Sequence, residues 1–222
     1  MKYRRSTTFR GTSMSLIAQL VLTASGGLLA GIAAGAGVLR RQGRLLASAR
    51  YDAEHDDITG LPNRRAFLTA LDGRLRSGQP CGLVMADLDR FKVINDTLGH
   101  ATGNHVLAEV GRRLIGLPSP VAVAARLSGD EYALLVDGDL DATAVVAQAA
   151  HRALTATPVR LPDRSCGIDA SVGYTAYRLG VTAADLLTEA DAAMYHAKRT
   201  GAGVTRFGHE CALRQQDRPL HH

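Results

Sequence analysis

The chain has no tryptophan, and its 222 residues include only four phenylalanines and six tyrosines. That leaves no aromatic-rich surface on which nucleic-acid bases could stack. Cysteine is scarce as well. Cys81, Cys166 and Cys211 are odd in number and far apart, without metal-type spacing, which argues against a disulfide framework or a zinc site and fits a reducing compartment better. The most informative shortage is of acid near the N-terminus. All 21 Asp and Glu residues follow Tyr51, whereas eight of the 26 Lys and Arg precede it. The formal net charge of +5 therefore conceals a basic N-terminal segment and a mildly acidic remainder. Anionic lipid suits that segment better than nucleic acid does, and no nucleic-acid partner is expected.

A second absence follows at once. From Gly11 to Leu39 there is no charged residue, and arginines stand at both ends. The run exceeds the ~20 residues needed to cross a bilayer, which predicts a transmembrane helix over 11–39 behind a basic tail at 1–10. A cleaved signal peptide is the rival reading. Four basic residues on each side leave the orientation open. Thr23, Gly27, Gly31 and Gly35 recur every fourth residue; such a stripe lets helices pair closely in lipid, although small residues are also simply common in membrane spans. Residues 40–55 read as a short helical stalk.

Residues 52–208 read as one compact domain. Helical spacing predicts helices over 63–77, 92–115 with a break near Gly99 to Gly103, 142–156 and 183–199. Apolar runs predict strands over 81–87, 121–127, 132–136, 168–177 and 204–207. This order gives an α/β (α+β) fold, with a mixed five-stranded central sheet and flanking helices. Residues 209–222 read as a polar, frayed tail.

The chemistry concentrates in two places. Asp87 ends an apolar strand, where side chains leave the core and reach a crevice; Asp89 follows two residues on. Asp130 lies in the turn Ser128-Gly129-Asp130-Glu131 between the next two strands, close enough in sheet order to meet Asp87. Two carboxylates, a main-chain carbonyl and phosphate oxygens make a hard oxygen site suited to Mg²⁺. Lys92 opens the helix after the first cluster, near unpaired N–H groups that attract phosphate. Gly129 clears space where a ligand can approach the backbone. Each Asp alone is also an ordinary cap or turn former; order and spacing together point to metal-assisted phosphoryl or nucleotidyl transfer.

The sequence resembles the GGDEF-domain family, the diguanylate cyclases, over roughly 52–207. The resemblance rests on Asp57-Ile58-Thr59-Gly60-Leu61-Pro62-Asn63-Arg64-Arg65-Ala66-Phe67, on Asp87 to Asp96 followed by Gly99-His100, and on Ser128 to Tyr132. Ser171-Val172-Gly173 and Ala190 to Lys198 extend it. It implies condensation of two GTP into cyclic di-GMP by a Mg²⁺-dependent homodimer (Mn²⁺ as the alternative metal). Asp87, the Leu88 carbonyl and Asp130 would ligate the metal. Asp130 would also act as base for the 3′-hydroxyl, with Glu131 supporting the cluster. Lys92 and Lys198 would neutralise phosphate, while Asn95, His100 and Asn104 would recognise guanine and ribose, with Gly129 at the substrate. Because the family uses cytosolic GTP, the resemblance implies a single-pass protein of the bacterial inner membrane with its catalytic domain in the cytoplasm.

Four positions and one short stretch depart from the family pattern. Ser128 replaces a glycine, at a cost of roughly 1–2 kcal/mol if the turn needs a positive φ there. Tyr132 replaces phenylalanine and needs a partner for its hydroxyl. Asn104 stands where Asp is usual, which exchanges an acceptor for a donor and predicts weaker guanine selectivity. Ala202 stands where a phosphate-binding arginine is usual; Arg199 or Arg206 could substitute. Ser119-Pro120-Val121-Ala122 lacks the Arg-x-x-Asp of the inhibitory product site, so no product inhibition is expected there.

Overall fold

A computed structural model describes residues 16, 18–21, 39–45 and 47–214. The chain divides into two compact units, one ending at Tyr51 and one beginning at Asp52. The span expected over 11–39, with Gly27, Gly31 and Gly35, falls almost wholly outside the described residues. Among the described residues no helix is long and apolar enough to cross a membrane. The expected stalk is helical at 40–45 and 47–54.

In the second unit the elements run α1 (Arg64–Arg76), β1 (Cys81–Asp89), α2 (Phe91–Leu98), α3 (His100–Ile115), β2 (Val121–Ser128), β3 (Glu131–Asp137) and α4 (Leu140–Thr155). Then come β4 (Val159–Arg160), β5 (Ser165–Cys166), β6 (Asp169–Ala176), α5 (Ala183–Thr200), β7 (Val204–Arg206) and α6 (His209–Arg214). The main sheet has the order β2-β3-β1-β6-β7, as the sequence predicts in kind: β1 is antiparallel to both neighbours, and β6 runs parallel to β7.

β1 reads as a continuous apolar run because both its faces are covered. Val84 and Ala86 pack with Leu134 and Val136 under α3 and α4, through Val106, Val110, Leu114, Val146 and Leu154. Leu83 and Met85 pack with Ala133 and Leu135 under α1 and α5, through Phe67, Leu71, Leu186 and Met194. The alternation continues to the end of the strand and sets Asp87 and Asp89 on the α1/α5 side.

Two differences from the sequence reading stand out. β4 and β5 form a small hairpin, too short at two residues each to show any periodicity. The expected tail is in part ordered: His209–Arg214 is helical, and Cys211 is buried against Ala192, Ala193 and Phe207. An apolar anchor two residues into a polar stretch is what keeps that turn of chain in place.

Among the described glycines, the tightest approach to backbone is made where α5 crosses β6. A Cβ on Gly173 would lie 2.0 Å from the Met194 nitrogen and 2.3 Å from the Ala190 carbonyl oxygen. These are backbone atoms and cannot rotate away. Gly173→Ala therefore has to lift α5 off the sheet, and thermal melts should show a loss of about 1–3 kcal/mol. The same variant should loosen whatever α5 delivers to the end of β1.

Candidate active site

The register at the end of β1 makes the site. Asp87 stands opposite Glu131 of β3 on one side and Ser171 of β6 on the other. Like charges directly across a ladder repel, and α5 supplies the answer: Lys198 Nζ donates to Asp87 Oδ1. Only 13% of the Asp87 side chain is exposed. Burial lifts its carboxyl to about 6; the charges of Asp130 and Glu131 act in the same direction, and Lys198 opposes them. At Lys198, burial alone would lower the ammonium, yet the hydrogen bond to Asp87 and the charges of Asp87, Asp89 and Asp130 hold it above its ordinary value.

α5 is held in register by a buried acid. Glu189 is 8% exposed. It accepts hydrogen bonds from Thr175 Oγ1 at 2.8 Å and from both terminal nitrogens of Arg178. This clamp and the Gly173 contact fix where Lys198 emerges.

The turn between β2 and β3 carries its positive φ at Gly129 (46°), so Ser128 bears no strain. Instead the Ser128 hydroxyl donates to Glu131 Oε2 at 2.8 Å. The Leu88 N–H donates to the Asp130 carbonyl at 3.4 Å, which draws the turn against the end of β1. The Leu88 side chain is buried, so what it offers the site is backbone. Tyr132 is fully buried and finds the partner it needs: its hydroxyl donates to the Leu107 carbonyl at 3.1 Å.

The residue that braces this turn was not singled out from the sequence. Arg126 is 8% exposed. Its Nε and Nη2 donate to the Gly129 carbonyl at 2.9 and 2.7 Å, and its Nη1 donates to both oxygens of Asp56 at 2.8 and 3.0 Å. Asp56 also accepts from the Thr59 N–H and hydroxyl. Burial would raise the Asp56 carboxyl, but the hydrogen bonds from Arg126 and Thr59 hold it below its usual value. The available signal was a lone charge inside an apolar strand run, which demands a buried partner.

The expected base-recognition residues lie on α2 and α3. Gly99 ends one helix and starts the other with φ 82. Asn95 Oδ1 fills the space that a Cβ on Gly103 would need, 1.9 Å away, so its amide lies beside the residue preceding Asn104. Lys92, His100 and Asn104 are exposed. Among the described residues, none of these three is hydrogen-bonded to the carboxylate cluster.

Among the described residues, no three His, Cys, Asp or Glu side chains already converge as a metal cage. The donor chemistry nonetheless fits a hard divalent cation. A largely covered carboxylate, Asp87, stands opposite Glu131 across the ladder with Asp130 in the adjoining turn, and Lys198 offsets the charge of Asp87 and Asp130. Asp87, Asp130 and the Leu88 backbone are the groups able to hold the ion.

A family model described as the diguanylate cyclase GGDEF domain matches residues 53–203. The chain belongs to this family. Its GGDEF domain is 38% identical over 169 residues to diguanylate cyclase TpbB of Pseudomonas aeruginosa, covering 72% of this chain and 39% of that protein. An uncharacterized signaling protein of Caulobacter vibrioides is 39% identical over 165 residues, or 71% of this chain and 20% of its own length. The chain thus spans well under half of these curated relatives. The crystal structure of the coiled coil and GGDEF domain of DgcB from Caulobacter crescentus, in complex with c-di-GMP, superposes with a TM-score of 0.71 at 30% identity. That match covers 81% of this chain and 98% of that one. A truncated TpbB comprising only its GGDEF domain gives a TM-score of 0.66 at 35% identity, with coverage of 73% and 99%.

Arg126→Met should cost the GGDEF domain about 1–3 kcal/mol in denaturant unfolding, because it takes the guanidinium's hydrogen bonds from the half-buried Asp56 carboxylate and from the Gly129 carbonyl. It should also change the acid limb. Asp56 titrates below its unfolded value, so its contribution is present above about pH 4 and is lost as pH falls through the lowered value. That acid-dependent loss should be smaller in the variant.

Proposed function

We propose that the chain is a Mg²⁺-dependent diguanylate cyclase that condenses two GTP into cyclic di-GMP and works as a homodimer. The observation carrying this reading is Asp87, largely covered at a strand end beside the signature turn and hydrogen-bonded by Lys198. A bound divalent metal would supply charge neutralisation at the phosphates and Lewis-acid polarisation of oxygen. Asp87, Asp130 and the Leu88 backbone would hold it, and Glu131 would add negative charge that favours its retention. Asp130, in a turn held by Arg126, accepts the proton of the 3′-hydroxyl. Lys198 and Lys92 offset charge on the phosphates. Asn95, His100 and Asn104 orient the base and ribose from α2 and α3, with Gly129 keeping the turn open to the substrate. Each domain holds one GTP, so each 3′-hydroxyl attacks the α-phosphate in the partner, and the dimer belongs to the reaction.

The uncharged run from Gly11 to Leu39, flanked by arginines, supports anchoring in the bacterial inner membrane. GTP as substrate places the domain on the cytoplasmic side. The stripe at Gly27, Gly31 and Gly35 gives the dimer a membrane contact.

Purified protein given GTP and Mg²⁺ should yield cyclic di-GMP by mass spectrometry, and Asp130→Ala should lower the rate by about 100-fold or more. Folded dimer that makes no product under any condition would favour a degenerate GTP-binding scaffold.

Asn104 supports a second reading, relaxed choice between GTP and ATP. An amide there can accept from guanine or donate to adenine, whereas a carboxylate accepts only. In an equimolar GTP/ATP mixture the wild type should release mixed dinucleotide, and Asn104→Asp should suppress it by roughly tenfold. Equal GTP selectivity in the two proteins would remove this reading.

A further inference from the structure

Arg90 is the one non-glycine among the described residues with left-handed backbone, at φ 57. Such conformations persist only where the surroundings enforce them, and they gather at ligand sites. Here the conformation lets β1 end and α2 begin with no intervening loop. It also puts Arg90 on the wall of a cavity of about 540 Å³, within the usual size range of ligand sites. Lys198 lines the same cavity and links it to the reaction centre through its hydrogen bond to Asp87.

The cavity walls include two lysine or arginine side chains, Arg90 and Lys198. The turn between α5 and β7 contributes Gly201 and Gly203, and Ala202 between them brings no charge. The two arginines that could have replaced it are engaged elsewhere. Arg199 lies 6.0 Å over the centroid of the Tyr195 ring, and Arg206 lines a separate cavity with Pro80 and Tyr177, at the far end of β1. Asp89 and Asp169 face each other across the β1–β6 register on the walls of Arg90's cavity. The Ser171 hydroxyl donates to both oxygens of Asp89 at 2.9 and 3.1 Å. Carboxylates in that position would repel a polyphosphate, and Arg90 is the guanidinium lining the same cavity that can offset them.

We propose that Arg90 binds the terminal phosphates of the nucleoside triphosphate, taking the part that a cation in the α5–β7 turn would otherwise play. The assignment rests on the nucleotide-cyclising reading above. Its test is calorimetry on the full chain in Mg²⁺ with a non-reacting GTP analogue in place of GTP, with pyrophosphate and, as a ligand without terminal phosphates, with GMP. Arg90→Met and Arg90→Gly should weaken the analogue and pyrophosphate by roughly tenfold, the scale of one charge-assisted contact, and leave GMP unchanged. Glycine suits the left-handed backbone, so Arg90→Gly should melt no lower than the wild type. This separates lost phosphate binding from lost folding. In turnover the GTP KM should rise while kcat changes little, and Arg206→Met should behave as wild type. Analogue and pyrophosphate affinities within about twofold of wild type in both Arg90 variants would overturn the assignment and leave Arg90 a turn former. Product formation with normal binding by the variants would sink only Arg90; a wild type that does not bind the analogue would sink the nucleotide reading beneath it.

Discussion

One guanidinium holds the site together. Arg126 sits inside a strand, 8% exposed, and spends its donors on Asp56 before α1 and on the Gly129 carbonyl in the signature turn. A buried arginine persists only when its charge is paired and its N–H groups are satisfied. Here both conditions are met by groups far apart in sequence. The planar fork also fixes direction, which a lysine could not do. Because the turn is braced from behind, β3 leaves it with Glu131 opposite Asp87, and Leu88 meets the Asp130 carbonyl.

The opposite constraint comes from charge. The register that assembles Asp87, Glu131 and Asp130 also makes them repel, and burial at Asp87 amplifies that repulsion. Lys198 relieves part of it from α5, whose position depends on Gly173 and on the Glu189 clamp. A site under that kind of imbalance is prepared for a cation and its phosphate, with the protein's stability carried elsewhere in two apolar layers. Structure and proposed chemistry therefore meet in one short stretch of β1.

Much of this was legible beforehand, for physical reasons that differ from element to element. β1 showed as an unbroken apolar run because it is covered on both faces. The α2–α3 break showed because Gly99 needs a positive φ. Ser128 looked like a strain site, but the turn puts its positive φ on Gly129, and residue spacing does not distinguish the two. Arg126 and Asp56 escaped notice because their pairing spans 70 residues and leaves no local spacing. The β4–β5 hairpin was too short to carry a period. The helix after Gly208 depends on one buried thiol, Cys211, in an otherwise polar segment.

The central claim is that the end of β1 and the signature turn together hold a metal–nucleotide complex. Anomalous scattering from crystals grown with Mn²⁺ and a non-reacting GTP analogue tests it most directly. The account predicts a single strong peak bounded by Asp87, the Leu88 carbonyl, Asp130 and phosphate oxygens, with Lys198 turned toward phosphate. Nucleotide bound with no metal at Asp87 and Asp130, or metal bound away from both, would contradict it.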